Sequence, residues 1–184
     1  MAQIDTLYGP IDVDMFARFK NIELLVCDVD GVFSDGTILL GNQGEELKAF
    51  NTKDGYGIKA LSKIGVKVAV ITGRQSRIVE DRMTALNVAH IMQNREDKLT
   101  AINELIAEFG YTKASIASVG DDMPDIGMFS ASSISIAVAD AHPFVKQKAT
   151  FCTSLPGGRG AVREICDIIL QAKGKLADIH GASV

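Results

Sequence analysis

The chain has 184 residues, a formal net charge of −4 and a hydrophobic fraction of 47%, a composition typical of one globular domain with its own core. It has no basic run, which argues against nucleic acid or an acidic membrane surface as a partner. No stretch is long and apolar enough to span a bilayer, and the acids and proline of "MAQIDTLYGPIDVDMFARFK" argue against a signal peptide, so we expect a soluble, cytoplasmic protein.

The first predicted element is "ELLVCDV", residues 23–29, a continuous apolar run typical of a strand buried on both faces. The strand leads into Asp28 and Asp30. Side chains alternate along a strand, so residues two apart share a face, and if the strand continues through this pair the two carboxylates are like charges held together. The pair is destabilising unless something binds there; the alternative is a strand-end turn with solvated acids.

The next segment, residues 36–51, predicts a β-hairpin around a Gly-Asn-Gln-Gly turn. It follows the acid pair directly, so we expect it to project from the edge of the same site. This hairpin is the only plausible insertion and is too small to be a second domain. The sequence therefore predicts a single domain over residues 1–184.

Apolar runs predict five further strands, and segments of helical period lie between them. The strands are expected at 65–73, 88–93, 114–122, 133–139 and 149–154, and apolar helix faces at 99–109 and 162–170. The alternation predicts an α/β fold, a Rossmann-like and mostly parallel sheet with helices on both faces. The chain has an odd number of cysteines, scattered along the sequence at Cys27, Cys152 and Cys166. We expect them to be reduced thiols that pack among apolar neighbours.

The carboxyl ends of these strands carry polar residues, and ligands of open α/β sheets bind beyond such ends. "VITGR" supplies Thr72 and Arg74, and "GDDMPD" supplies three more acids. Acids with no histidine partner suit Mg²⁺, and Thr72 with Lys98 suits phosphate oxygens. Together these residues predict Mg²⁺ and a phosphate monoester. Taken singly, the acids could be helix caps, Thr72 could satisfy local backbone groups and Lys98 could be a surface charge.

The two acids of the pair can have different roles in such a site. Asp28 is ionised at neutral pH and needs no base to attack phosphorus and form an aspartyl-phosphate. Asp30 could protonate the leaving alkoxide and then activate water to cleave the intermediate.

"DVDGVFSD", "VITGR", Lys98 and "GDDMPD" resemble the four motifs of haloacid dehalogenase-superfamily phosphatases. The resemblance extends through nearly the whole chain. Within the superfamily, the hairpin, "FNTKDGYGIKAL", "LPGGRGAVRE" and the lack of a cap domain resemble the 3-deoxy-D-manno-octulosonate 8-phosphate (KDO 8-phosphate) phosphatases, enzymes of lipopolysaccharide precursor synthesis.

The resemblance implies a role for each motif residue. Asp28, the backbone carbonyl of Asp30 and Asp121 would hold Mg²⁺, with Asp28 as nucleophile and Asp30 as general acid and base. Thr72 and Lys98 would bind the phosphoryl group, and Asp122 or Asp125 would support the metal or Lys98. The residues expected to face a sugar-acid substrate are Asp30, Asn51, Thr52, Lys53, Asp54, Gly55, Lys59, Arg74, Arg82 and Lys98. Family members are capless homotetramers in which the hairpin packs at the subunit interface and the C-terminal glycine-rich segment reaches an adjacent site.

Several of these positions have simpler interpretations. Lys59 could lie on a solvated helix face, Arg82 could pair with neighbouring acids, residues 55–57 could be a flexible helix start and residues 156–160 a plain loop.

Two other functions also remain open. A nonulosonate 9-phosphate could be the substrate. A receiver-type signalling module would keep the aspartyl-phosphate, although such a module has no need for an acid at Asp30.

Overall fold

The computed structural model describes residues 2–178 of the chain, so residue 1 and residues 179–184 of the predicted domain lie outside the described residues. The strands are β1 (Gln3–Thr6), β2 (Gly9–Asp12), β3 (Leu24–Cys27), β4 (Leu39–Leu40), β5 (Glu46–Leu47), β6 (Lys67–Ile71), β7 (His90–Met92), β8 (Ile116–Gly120), β9 (Ile134–Ala137) and β10 (Phe151–Cys152). The helices are α1 (Val13–Lys20), α2 (Thr52–Lys63), α3 (Arg77–Ala85), α4 (Lys98–Phe109), α5 (Ile126–Ser130), α6 (Pro143–Lys148) and α7 (Ala161–Ala172). Short 3₁₀ turns lie at Lys113–Ser115, Met123–Asp125 and Leu176–Asp178.

Six strands form one parallel sheet in the order β10-β9-β8-β3-β6-β7. Strand β3 lies inside it, and its residues pair in register with residues 67–70 of β6 and 116–119 of β8. All six correspond to apolar runs in the sequence, so the predicted parallel α/β fold is confirmed. The chain order reverses at β3, which places a crevice at the carboxyl ends of β3, β6 and β8.

The sheet is buried on both faces, and β3 shows how its sequence achieves this. Leu25 and Cys27 pack into one apolar layer with α2 and α7, whereas Leu24 and Val26 pack into a second layer with α4. A strand that is buried on both sides needs an uninterrupted apolar run, because alternate residues enter different cores. The predicted apolar face at 99–109 is only partly buried, since Leu99 and Phe109 at its two ends are exposed.

The predicted hairpin between β3 and α2 is present, and its strands β4 and β5 pair antiparallel over two residues each. A second hairpin, β1 with β2, precedes the sheet and was not expected. Its strands are four residues long and half exposed, which gives a weak periodic signal. Asp12 then caps α1 by accepting hydrogen bonds from the backbone N–H groups of Asp14 and Met15.

The cysteines only partly match the expectation. All three are free thiols, and Cys27 and Cys166 are buried packing residues. Cys152 is exposed because β10 is a two-residue strand at the edge of the sheet, which corrects its predicted packing role. No helix within residues 2–178 has the length and apolar character to cross a bilayer.

The glycine-rich loop at 156–160 packs directly on the loop that follows β3. The Gly158 N–H donates to the Val32 carbonyl at 2.8 Å, and the Gly157 N–H donates to Asp140 Oδ1 at 2.8 Å. A Cβ atom at Gly157 would overlap the carbonyl oxygen of Gly31. The segment therefore braces the backbone next to the acid pair, where only glycine allows so close an approach.

We predict that Gly157→Ala destabilises the protein by about 1–3 kcal/mol, because the new methyl group displaces the backbone at Gly31. Urea unfolding measures the loss. Gly174→Ala is a reference for backbone strain without overlap: a Cβ there meets nothing within 4 Å, and its positive φ alone costs about 1–2 kcal/mol, whereas Gly157 has no positive φ and its loss reports the overlap. Equal unfolding midpoints for the wild type and Gly157→Ala would contradict the close contact.

Candidate active site

One cavity of about 520 Å³ opens at the carboxyl ends of β3, β6 and β8. The residues that line it are Asp28, Asp30, Gly36, Thr72, Gly73, Arg74, Glu96, Lys98, Asp121, Asp122, Pro124 and Asp125. The residues of the four motifs to which the sequence assigned chemistry all lie here, namely Asp28, Asp30, Thr72, Arg74, Lys98, Asp121, Asp122 and Asp125. Parallel strands bring their carboxyl ends to one edge, which explains how positions almost 100 residues apart meet.

Lys98 joins two of the acids at the base of the cavity. Its Nζ atom lies 2.7 Å from Asp28 Oδ1 and 2.6 Å from Asp125 Oδ1, and all three side chains are largely buried. The lysine is the first residue of α4, and Asp97 caps this helix by accepting a hydrogen bond from the Thr100 N–H. Burial lowers the pKa of the Lys98 ammonium, but the charges of Asp28 and Asp125 outweigh that effect and raise it overall.

Asp125 links this lysine to the loop after β8. Its Oδ2 atom accepts hydrogen bonds from the backbone N–H groups of Asp121 at 2.8 Å and Asp122 at 3.1 Å. Both carboxylate oxygens of Asp125 are thus engaged, one by the loop and one by Lys98. Asp122 is exposed and caps the following 3₁₀ turn through the Met123 N–H. Of these two acids, Asp125 is the one that contacts Lys98.

The carboxylates of Asp28, Asp121 and Asp125 each offer an oxygen within 4.8 Å of the other two. Burial, together with the charges of Asp125, Asp28 and Asp122, raises the pKa of Asp121 to about 8 against the opposing effect of Lys98. Burial and the charge of Asp125 likewise raise the pKa of Asp28 to about 6, against the opposing effect of Lys98. Such a cluster concentrates negative charge that one cation would neutralise.

The donor set fits a hard divalent cation such as Mg²⁺. Asp121 Oδ1 is buried without a hydrogen-bond partner among the described residues, so it is available as a ligand. A Cβ atom at Gly31, whose φ is +92°, would overlap the Asp121 carboxylate, so the backbone leaves room only for that side chain. Because Asp125 already uses both oxygens, Asp28 and Asp121 are the carboxylates best placed to bind the cation. The role of the Asp30 carbonyl as a further ligand stays a prediction.

Asp30 has partners of its own, on the hairpin and directly after β6. Its Oδ1 atom accepts from Lys48 Nζ, and its Oδ2 atom lies 3.9 Å from Arg74 Nε. Arg74 Nη2 in turn donates to Glu46 Oε1 at 3.1 Å. The sequence reasoning missed Glu46 and Lys48. Their signal was available, since two charged residues two positions apart share one face of the predicted hairpin strand.

Thr72 ends β6 at the rim of the cavity and is buried. Its backbone N–H donates to the Met92 carbonyl, and its own carbonyl accepts from the Arg95 N–H, each at 3.0 Å. The local backbone groups are therefore satisfied by the main chain of β7 and the loop after it. Thr72 lines the same cavity as Lys98, as expected for a phosphate-binding pair.

Seven of the residues expected to face a substrate do not line this cavity, namely Asn51, Thr52, Lys53, Asp54, Gly55, Lys59 and Arg82. Asn51 caps α2 by accepting from the Lys53 N–H at 2.9 Å. Asp54 is buried, accepts from the Arg163 N–H at 2.8 Å, and has its pKa raised to about 6 by burial. Arg82 has a buried Nε atom without a partner among the described residues. A role of these residues in substrate binding stays a prediction.

Comparisons with known proteins agree with this geometry. The family described as haloacid dehalogenase-like hydrolase matches residues 84–164. The chain is 50% identical over 183 residues to a 3-deoxy-D-manno-octulosonate 8-phosphate phosphatase of Yersinia pestis, covering 100% of this chain and 98% of that protein. An Escherichia coli K12 phosphatase of the same name is 46% identical, with 100% and 97% covered. This chain belongs to the haloacid dehalogenase-like hydrolase family.

Solved structures of family members share the fold. The crystal structure of the Yersinia pestis phosphatase superposes with a TM-score of 0.96, covering 100% of this chain and 99% of that one. The phosphatase of Moraxella catarrhalis, in complex with a magnesium ion, a phosphate ion and KDO, is 37% identical with a TM-score of 0.87, covering 90% and 95%. The resemblance drawn from the four sequence motifs is confirmed.

We predict that Mg²⁺ raises the thermal unfolding midpoint more at about pH 8 than at about pH 5. The raised carboxyl pKa values of Asp28 and Asp121 mean that the metal-free folded state binds more protons than the unfolded chain between about pH 4 and pH 8. Stability without metal therefore falls as the pH rises through this window, and bound Mg²⁺ offsets the fall.

Calorimetry with EDTA or with Mg²⁺ tests this prediction. Asp121→Asn should weaken both the pH dependence and the Mg²⁺ stabilisation, whereas Asp14→Asn on the exposed side of α1 should change neither. An Asp121→Asn protein with the full Mg²⁺ stabilisation would place the metal elsewhere.

Proposed function

We propose that this protein is a Mg²⁺-dependent phosphomonoesterase that hydrolyses 3-deoxy-D-manno-octulosonate 8-phosphate to KDO and inorganic phosphate in lipopolysaccharide precursor synthesis. The observation that carries this proposal is that Asp28 and Asp30 line one cavity while each has a lysine partner of its own. One carboxylate can attack phosphorus while the other handles protons, as phosphomonoester hydrolysis requires.

The first chemical step forms an aspartyl-phosphate on Asp28. An Asp28 carboxylate oxygen forms a bond to phosphorus as the bond from phosphorus to the ester oxygen breaks. Asp30, as the acid, gives its proton to that departing oxygen. Lys98 and Asp125 hold the Asp28 carboxylate in place, and Thr72 and Lys98 are positioned to bind the phosphoryl oxygens.

The second step releases phosphate and regenerates the enzyme. Asp30, now a carboxylate, takes a proton from water as the water oxygen attacks phosphorus, and the bond from Asp28 to phosphorus breaks. Asp30 is thereby reprotonated and Asp28 is again a free carboxylate. A Mg²⁺ ion bound at Asp28 and Asp121 would neutralise charge on the phosphoryl group and lower the repulsion between two anions.

The substrate assignment is supported by the relatives and by the mouth of the cavity. Relatives 46–50% identical over the full chain are phosphatases of this substrate by name. Arg74 lies at the mouth with a side chain that is 44% exposed, so it is accessible to the carboxylate of a sugar acid. We also propose that the chain acts as one domain in the cytoplasm.

We predict that Asp28→Asn lowers turnover at least about 10³-fold with little change in fold, because it removes the nucleophile at nearly constant volume. Inorganic phosphate release is measured with and without Mg²⁺ from KDO 8-phosphate, a nonulosonate 9-phosphate and hexose phosphates. Mg²⁺-dependent preference for the octulosonate ester is expected. Preference for the nonulosonate ester would overturn the substrate assignment and keep the phosphatase. A stable phosphate on Asp28 of the wild type, without release of inorganic phosphate, would favour a signalling module.

We further infer a homotetramer with active sites at subunit interfaces. The hairpin supports this inference because Ile38, Leu39, Leu40 and Leu47 are all exposed, with Leu40 73% accessible. Adjacent exposed leucines on one small element mark an interaction surface. No cap domain covers the cavity in residues 2–178, so a neighbouring subunit would complete its enclosure.

We predict that Leu40→Lys converts the oligomer to smaller species, because a charge in an apolar interface loses its hydration. Multi-angle light scattering measures the mass. Leu7→Lys, at a residue of similar exposure (69%) between β1 and β2, is the matched control and should keep the wild-type mass. A wild-type protein that is monomeric and fully active would refute the assembly.

A further inference from the structure

We propose that Lys48, which follows hairpin strand β5, is a positioning residue that holds the Asp30 carboxylate over the cavity for its proton transfers. This inference rests on the proposed phosphatase function, in which Asp30 is the acid and base. It gives the hairpin a part in the chemistry of its own active site, in addition to any part in assembly.

The contact between Lys48 and Asp30 is buried on the side of the lysine, while the Asp30 side chain is 22% exposed. The Lys48 side chain is only 2% exposed, and its Nζ atom donates to Asp30 Oδ1. A lysine is rarely buried to this degree unless it is paired, because its ammonium loses its hydration. The pair is formed between residues 18 positions apart in sequence, so it fixes the path of the chain from β3 through the hairpin as well as the carboxylate.

A second, weaker contact acts on the other oxygen of Asp30. Arg74 Nε lies 3.9 Å from Asp30 Oδ2, and Glu46 on the same hairpin accepts from Arg74 Nη2. The Arg74 side chain is 44% exposed, so solvent screens this pair. Lys48 is therefore the dominant restraint, and the hairpin acts on Asp30 directly through Lys48 and indirectly through Glu46.

The restraint matters because a general acid must lie within hydrogen-bond reach of the atom that it protonates. Asp30 leads directly into Gly31, whose positive φ starts the loop after β3. Lys98 has its ion pairs with Asp28 and Asp125, whereas the ion pairs of Asp30 among the described residues are with Lys48 and Arg74. Of the ion pairs that Asp30 forms within residues 2–178, loss of Lys48 would leave the one with the partly exposed Arg74 to orient the side chain.

The test compares two leaving groups in Lys48→Met. The octulosonate ester needs a proton on its leaving alkoxide, whereas p-nitrophenyl phosphate releases a phenolate that leaves without one. We expect kcat for the octulosonate ester to fall about 10²-fold, and the rate of phosphoenzyme formation from p-nitrophenyl phosphate in a rapid-quench experiment to change only a few-fold. Lys20→Met, at an exposed lysine at the end of α1, is the matched control and should match the wild type on both esters.

A double-mutant cycle separates positioning from a general structural role. In an Asp30→Asn background, Lys48→Met should cause no further loss with the octulosonate ester, because its effect passes through Asp30. Lys48→Arg keeps the positive charge and should recover part of the rate. If Lys48→Met fails to fold, Lys48→Arg replaces it in the comparison of the two esters. Any loss of rate in Lys48→Arg should again be confined to the octulosonate ester.

The outcomes distinguish this inference from the function on which it rests. Equal losses on both esters, or additive losses in the cycle, would overturn the positioning role while leaving the phosphatase intact. Wild-type protein that releases phosphate from neither ester would overturn the function and the inference together.

Discussion

The structure depends on how each of the two carboxylates that follow a buried strand is held in place. Asp28 and Asp30 are two residues apart, and each has a buried lysine partner, Lys98 and Lys48 respectively. Neither lysine belongs to the strand, since one begins α4 and the other follows the hairpin. Each carboxylate is thereby paired with a cation at the cavity that both acids line.

The sheet brings the other residues of the site to these two acids. Strand β3 lies between β6 and β8, so its carboxyl end is flanked by Thr72 and by Asp121. Asp125 connects the flanking loop to Lys98, which orders the lysine before any ligand arrives. The glycine-rich loop at 156–160 fixes the backbone beyond β3 from the far side. Each of these contacts joins segments distant in sequence, so the site exists only when the whole sheet is assembled.

Much of this arrangement could be predicted from the sequence, for a physical reason. Apolar runs of strand length identify the parallel sheet, and the carboxyl ends of parallel strands converge, so Thr72, Lys98 and Asp121 were expected beside Asp28. The roles of Asp122 and Asp125 could not be separated, because both are acids in one turn and only the geometry shows which contacts Lys98. Glu46 and Lys48 were visible as two charged residues on one hairpin face, but the contact of Lys48 with Asp30 was missed because it depends on how a two-residue hairpin folds back, which no periodic pattern encodes. The hairpin of β1 and β2 was missed because its strands are short and half exposed.

The two acids of the pair also differ in how firmly they are held, and the difference matches their chemistry. Asp28 is fixed through Lys98 and Asp125 to the loop after β8, a chain of buried contacts that ends on main-chain amides. Asp30 is fixed through Lys48 to a hairpin whose own ladder is two residues long. A nucleophile benefits from a fixed position, because attack on phosphorus has one direction. A general acid and base must reach the leaving alkoxide oxygen in the first step and the water oxygen in the second. A support on a short hairpin allows the Asp30 carboxylate this small movement.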